Sequence, residues 1–518
     1  MLLAEQPKIS LALGLHNHQP VGNWDWVIED AYQHAYAPFM DCLSAHPGVA
    51  VSVHFTGFLL EWIAEHHPDY IEKLKDLISG GQLEILTGAH YEPILSIIPD
   101  RDKVGQIKRL SETIRDLLGE DPVGMWLAER VWEPHLVKPM VEGEVQYTVV
   151  DDVHFKSVGL RKEELFGYYQ TEEQGHTLEI FPINRELRYL IPFSPPEKTI
   201  DYLRAHATTD GGRLALCFDD GEKFGCWPDT YQAVYQDGWL DRFFALLEEN
   251  ADWIDTVTVR DFRENHPAWG RIYLPTASYV EMQEWSLPPE QTLLFEEAAK
   301  KVDPAYQDFL RGGFWRHFLV KYPESNNLHK KMLLVSSMVE AALPSHRTVK
   351  VGAPGEEKTR AASSAQEALW RGQCNDPYWH GVFGGLYLTN LRSANYQNLL
   401  NAEVLCDSLN HKGPFLSVVQ RDFDCDGRPE VLVSTQDHNC YFTLQGGALF
   451  ELDYKPKSFN LLDTITRRPE AYHQRIGKTL HDKPEVESTP RFLREIAFSK
   501  ESGLEKMLHY DWYRRLSL

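Results

Sequence analysis

Seven stretches between residues 9 and 259 are short, apolar and rich in β-branched or aromatic side chains. They are ISLALGLHN (9–17), VAVSVHF (49–55), LEILTGA (83–89), VGMWLA (123–128), YTVVDDV (147–153), LALCFDD (214–220) and WIDTVTV (253–259). Runs of this length bounded by turn residues predict buried strands. Between them the period changes. HPDYIEKLKDLISGG predicts a helix stopped by Gly80 and Gly81. RDKVGQIKRLSETIRDLLG places Val104, Ile107, Leu110, Ile114 and Leu117 on one helical face. Strands alternating with amphipathic helices predict an α/β fold, a parallel sheet covered by helices. About seven β/α units suit a TIM-like barrel one strand short, a (β/α)7 barrel.

Beyond residue 285 the texture changes. PPEQTLLFEEAAKKVD, NNLHKKMLLVSSMVEAAL and AASSAQEALWRG predict helices without strands between them. SHRTVKVGAPGEEK (345–358), rich in Gly, Pro and charge, predicts a surface loop. From about residue 413, PFLSVVQ, PEVLVST, CYFTLQG and GALFELDY predict an all-β, sandwich-like module. The expected division is a barrel over 1–285, a helical region over 286–395 and the β module over 396–518.

Composition narrows the partners. Of 518 residues 43% are hydrophobic and 12% aromatic, enough for large cores. Asp+Glu 76 against Lys+Arg 52 leave a net charge of −24. That balance argues against nucleic acid and against anionic membrane surfaces. MLLAEQPKIS has no basic segment before an apolar core, so no signal peptide is expected. No apolar run reaches the ~18 residues of a membrane span. Seven dispersed cysteines without a CxxC pair fit reduced thiols and a cytoplasmic location. A homo-oligomer is compatible with all of this.

Charge inside apolar sequence marks the chemistry. In GMWLAERVWEP (124–134), Glu129 follows a buried strand between Trp126 and Trp132. Burying it unpaired costs on the order of several kcal/mol, so Arg130 is expected to keep it ionised. A plain Glu–Arg ion pair joining helix to barrel is the alternative. In LALCFDDGEKFGCWP (214–228) a hydrophobic run ends in Asp219, Asp220, Gly221 and Glu222. Three carboxylates so close raise at least one pKa, which suits a general acid. Gly221 is expected to permit a tight turn, and an acidic helix cap is the alternative.

In LGLHNHQPVGNWDW (13–26), His16 and His18 share one side of an extended segment. They read as sugar ligands, as an HxH metal pair or as structural histidines. GGQLEILTGAHYEPIL (80–95) contributes Glu84, His90, Tyr91 and Glu92. LPTASYVEMQEWSLP (274–288) contributes Glu281, Glu284 and Trp285. Aromatic rings beside carboxylates are what a pyranose site needs, since the ring stacks and the carboxylates grip hydroxyls.

HNHQP, GQLEILTGAHYEPIL, WLAERVWEP, DDGEKFGCWP and LPTASYVEMQEWSLP resemble, together and in order, the five sequence regions of glycoside hydrolase family 57. The similarity is greatest to its 4-α-glucanotransferase and α-amylase members. It continues through FWRHFLVKYPESNNLHKKML and QCNDPYWHGVFGGLYL. The resemblance implies a (β/α)7 barrel, a helical region closing the active site and a C-terminal β-sandwich. It also implies a retaining mechanism on α-1,4-glucans, with no cofactor for catalysis. By motif position Glu129 becomes the nucleophile and Asp220 the acid/base. Substrate contacts fall on His16, His18, Glu84, Trp126 and Trp227. Trp285, Trp379 and His380 are candidates on the acceptor side. Arg130, Asp219 and Glu222 are expected to support the pair, the last two by raising the pKa of Asp220. A retaining pair of carboxyl groups stands ~5–5.5 Å apart. The subgroup's sandwich is longer than the residues left here, so either a shortened module or an incomplete sequence is expected.

Within that module, RDFDCDGRPEVLV (421–433) places Asp422, Asp424, Asp426 and Glu430 at a spacing that suits a structural Ca²⁺. A metal-free acidic hairpin is the alternative. Two other functions compete. A metal-dependent hydrolase or deacetylase would use His16, His18 and one of Asp151, Asp152 or Asp219 as ligands. A glucan-binding protein without chemistry would keep the aromatics and not need the carboxylate pair.

Overall fold

The computed structural model describes residues 6–343, 356–476 and 503–516. Its first nine strands are β1 (Ile9–Asn17), β2 (Val51–Phe55), β3 (Leu83–Leu86), β4 (Gly124–Trp126), β5 (Tyr147–Asp151), β6 (Tyr169–Glu173), β7 (His176–Ile183), β8 (Leu214–Asp220) and β9 (Ile254–Thr256). Two hydrogen-bonded sheets, β3-β2-β1-β8 and β4-β5-β7, make up a ring of seven parallel strands. Thr87 bridges to Met125 across the β3–β4 gap. Asn184 closes the β7–β8 gap: its backbone N–H donates to the Leu216 carbonyl and its side-chain oxygen accepts from the Leu216 N–H, both at 2.8 Å.

The ring has seven strands, but not the seven predicted. WIDTVTV yields only β9, which pairs with Ile9–Leu11, below the part of β1 that pairs with β2. From Val259 the chain is helical. The seventh member is β7, HTLEIFPI, whose polar start and Pro182 hide it in the pattern. It follows the antiparallel β6 rather than a long helix, so the β/α alternation lapses at that point.

The barrel interior is filled, not open. Leu86, Trp126, Tyr147, Val149, Phe181, Ile183, Leu216 and Phe218 form one cluster, closed below by Val259 and Phe262. Burying each large apolar side chain contributes about 1.5–3 kcal/mol. The Phe218 ring occupies the space a side chain on Gly14 would need. The predicted helices fall where the period put them. Pro68–Ser79 ends at Gly80, and Asp100–Leu118 buries Ile107, Leu110, Ile114 and Leu118 before Gly119 at φ 77°.

In the helical region Pro289–Lys301, Pro323–Ala342 and Glu356–Arg371 match the expectation. The predicted loop lies largely outside the described residues. Thr389–Asn410 was not expected and runs through the anticipated boundary at 395. Its many Asn, Ser and Thr are weak helix formers, so burial of Leu391, Leu399, Leu400 and Cys406 carries it. One apolar core joins Leu127, Trp132 and Leu136 of the barrel top to Trp315, Tyr322, Met332 and Tyr378.

The β module is an antiparallel meander of β10 (Leu416–Arg421), β11 (Glu430–Thr435), β12 (His438–Thr443), β13 (Leu449–Tyr454) and β14 (Phe459–Asn460). It lies against Pro323–Ala342 and Thr389–Asn410, with Lys331 and Glu403 reaching Asp453 and Asn439. Among the described residues no second sheet faces it. All seven cysteines are free thiols.

Candidate active site

A cavity of about 150 Å³ opens at the C-terminal ends of the barrel strands. Glu129 lies just past β4, and Asp219 and Asp220 end β8. Glu129 and Arg130 both adopt the left-handed conformation, at φ 51° and 49°. Such backbone costs non-glycine residues on the order of 1–3 kcal/mol each and persists only where neighbours impose it. Here the Ser278 hydroxyl donates to the Glu129 carbonyl at 2.7 Å, and Trp132 and Ala277 exchange backbone hydrogen bonds. The Tyr279 hydroxyl donates to Glu129 Oε2 at 2.6 Å.

The three carboxylates on the cavity floor are set apart by their partners. Asp219 pairs with Lys223 Nζ at 2.8 Å, Arg188 Nε at 3.1 Å and Arg130 Nη1 at 3.4 Å. Burial opposes its ionisation, but these cations hold it well below the usual carboxylate range. Asp220 is pushed up by burial and by the charge of Asp219. Glu129 is pushed up to about 7, by burial first and then by Asp220. Arg130, expected to pair with Glu129, instead pairs with Asp219 and lies 4.3 Å from the Tyr279 ring. Glu222, half-buried, accepts from the Tyr36 hydroxyl and, at 2.9 Å, from the His18 N–H, tying the loop to β1. Gly221 is required less by a turn than by Asn17, whose side chain fills the place of a Cβ.

Aromatic rings flank these groups. Trp227 stacks with Phe193 at 6.0 Å and lies 6.2 Å from Phe383. Trp285 and Trp379 stack at 6.3 Å. Trp379, His380 and Phe383 come from the helical region, which roofs the cavity. Four expected residues are not on its wall. His16 and Trp126 stack at 4.6 Å beneath it, and Trp126 in turn stacks on Phe218. His18 meets the cavity only through Asp376, at 3.0 Å. Glu84 lies deeper in the barrel, accepting from Tyr147, from Ser52 at 2.7 Å and from the Arg260 N–H at 3.1 Å. Its position inside a strand, two residues below Leu86, turns it to the barrel interior.

Sequence reasoning missed Arg188, Tyr189, Phe193 and Asp376, all on the cavity wall. The first three follow β7, so a single missed strand hid them. Glu92, to which the sequence assigns no role, is also buried here. It bridges His16 Nε2 and His18 Nδ1, each at 3.0 Å. The ligand set of a metal-dependent hydrolase is not assembled, because Asp151 and Asp219 are both taken by Arg188 and Asp152 by Lys156. In the β module Asp422, Asp424 and Glu430 converge, whereas Asp426 accepts from the Arg428 N–H at 2.8 Å.

The profile of Glycosyl hydrolase family 57 matches residues 12–275, and those of the alpha-amylase/4-alpha-glucanotransferase middle and C-terminal domains match 313–406 and 422–518. An Alpha-amylase 1 of Dictyoglomus thermophilum is 47% identical over 98% of this chain and 72% of its own length. The chain belongs to glycosyl hydrolase family 57. A second family 57 relative, a 4-alpha-glucanotransferase of Thermococcus litoralis, is 42% identical over 99% of the chain and 74% of its own length. The crystal structure of the Thermococcus litoralis 4-alpha-glucanotransferase superposes with a TM-score of 0.85 at 41% identity, over 99% of this chain and 73% of that one. The family 57 resemblance expected from the five motifs is therefore established, together with the α/β fold and the β module after it.

Proposed function

We propose that the protein is a retaining 4-α-glucanotransferase acting on α-1,4-glucans. The observation that carries this is the division of labour on the cavity floor: three cations neutralise Asp219, while Asp220 and Glu129 stand beside it with raised proton affinity. A proton on Asp220 removes one of the two causes that push Glu129 up, burial being the larger. In the reacting state Asp220 carries the proton of the pair, and Glu129, which Tyr279 orients, is ionised. Asp220 gives its proton to the glycosidic oxygen as Glu129 attacks the anomeric carbon, forming a glucosyl ester. Asp220 then takes the proton of an incoming hydroxyl, which displaces Glu129. Aromatic pairs on two sides of the carboxylates, Trp227 with Phe193 and Trp285 with Trp379, suit one glucan as donor and a second as acceptor.

The second reading is an α-amylase, in which water takes the acceptor's place, and relatives with that name support it. Incubation with maltoheptaose separates the two. Longer and shorter maltooligosaccharides together, absent with Glu129→Gln, support the transferase. Shorter products alone, with steadily rising reducing ends, overturn it in favour of the amylase. We also propose that Asp422, Asp424 and Glu430 hold a structural Ca²⁺, a hard ion suited to an all-oxygen donor set.

A further inference from the structure

Beside the cavity, Cys374, His18 and Asp376 bring a thiol, an imidazole and a carboxylate within 4.8 Å of one another. None of the three is needed for the proton transfers described above. Two contacts define the arrangement. Cys374 Sγ lies 3.5 Å from Asp376 Oδ2, and His18 Nε2 lies 3.0 Å from the same oxygen. A tetrahedral Zn²⁺ with ordinary bond lengths separates its donors by about 3.3 Å for nitrogen and oxygen and about 3.6 Å for sulfur and oxygen. The apo positions are thus within a few tenths of an ångström of a ligand set. Sulfur, imidazole and carboxylate together select zinc-like ions over Ca²⁺ or Mg²⁺.

One of the three donors is open to the cavity. Asp376 lines the cavity, with its side chain 25% exposed, while Cys374 is buried behind it. The two other groups of this kind differ. His16, His54 and Glu92 form a sealed cluster. Cys42, His46 and Asp241 lie at the outside of the barrel, and none of them is on the cavity wall.

We propose that Cys374, His18 and Asp376 form an inhibitory binding site for a soft divalent transition ion such as Zn²⁺. The ion displaces two protons to solvent, one from the Cys374 thiol and the one His18 Nε2 shares with Asp376, while His18 Nδ1–H stays on Glu92; its remaining position faces the cavity with a water or a sugar hydroxyl. Bound there, it occupies the cavity wall at Asp376 and takes space the glucan needs. Binding follows from the donor set alone; inhibition rests on the proposed glucan reaction.

The test separates those two parts. Chelator-treated, desalted protein is titrated with Co²⁺, and thiolate-to-metal charge transfer is read in the near ultraviolet. One equivalent per chain is expected, competed by Zn²⁺. The band should be lost in Cys374→Ala and kept in Cys42→Ala. Maltoheptaose turnover should fall as Zn²⁺ is added, and Cys374→Ala should need at least about tenfold more Zn²⁺ for the same loss, with its metal-free rate retained. Cys374→Ser, closer in size, guards against a folding defect. A charge-transfer band that survives in Cys374→Ala, or disappears in Cys42→Ala, overturns the site. Co²⁺ binding at Cys374 without any effect of Zn²⁺ on turnover overturns the inhibitory role. If no turnover is found on any glucan, the proposed function fails and the spectral result still decides the site.

Discussion

Lys331, in the joint between the helical region and the meander, and Lys223, beneath the cavity, are both fully buried cations among carboxylates. Around Lys331 every charge is answered. Its Nζ lies 2.8 Å from both Glu403 and Asp453, and Lys455 adds contacts of 3.0 Å to Glu403 and 2.8 Å to Asp407. Glu451 is pushed well up by burial and by Asp453. Around Lys223 the distribution is uneven: Asp219 collects Lys223, Arg188 and Arg130, and Asp220 and Glu129 have none in ion-pair contact among the described residues. A buried cluster in which each cation has its carboxylates in contact fixes how two layers meet. An unbalanced one beside a cavity keeps a proton ready to move.

The comparison breaks most decisively through chemistry. Glu129→Gln and Asp220→Asn should each lower turnover of maltoheptaose by about 10³-fold or more while leaving the fold intact, checked by product analysis and calorimetry. Full activity in Asp220→Asn would remove the acid/base assignment. Lys331→Met should do the reverse. It strands buried carboxylates and should cost about 3–5 kcal/mol of stability in denaturant unfolding, while kcat of the still-folded fraction is unchanged.

A pH series sharpens the contrast. The Glu129 pKa is raised from 4.5 to about 7, so folding is favoured below the unfolded value and that contribution is lost as pH rises through about 7. Glu129→Gln should therefore be more stable than the parent above about pH 7, by about 1–3 kcal/mol, with the gap closing below about 4.5. Glu403 has the opposite sign. Burial opposes its charge, but Lys331 and Lys455 lower its pKa to about 2, so its contribution should disappear as pH falls from about 4.5 toward 2. Melting temperatures of Glu129→Gln and Glu403→Gln measured against pH distinguish the two clusters. The smallest effect expected is at Asp422, Asp424 and Glu430. Removing Ca²⁺ with a chelator should lower Tm by about a few degrees without changing room-temperature turnover, and an unchanged Tm would dismiss the ion.

How much of the site was legible depended on the kind of signal. Glu129 and Asp220 stood out because a charge inside an apolar run is costly without a purpose. Trp227, Trp285, Trp379 and His380 followed from motifs and do line the cavity. Glu84 and Trp126 had the right company in sequence but face the barrel interior. Period-2 alternation says which residues share a side of a strand, not how high along the barrel each one sits. Arg188 and Phe193 were invisible because β7 was, its polar opening residues masking a strand that only the completed ring buries.

What the chain specifies by itself is local: the period of each strand and helix, their stop signals, and the few places where charge interrupts apolar sequence. Pairing is decided elsewhere. Arg130 follows Glu129 in sequence, yet it pairs with Asp219, 89 residues away, because consecutive left-handed residues turn its side chain there. Asp376 meets His18 across 358 residues. Proton affinities depend on burial and on the nearest charges in space, and neither quantity exists until the barrel has closed.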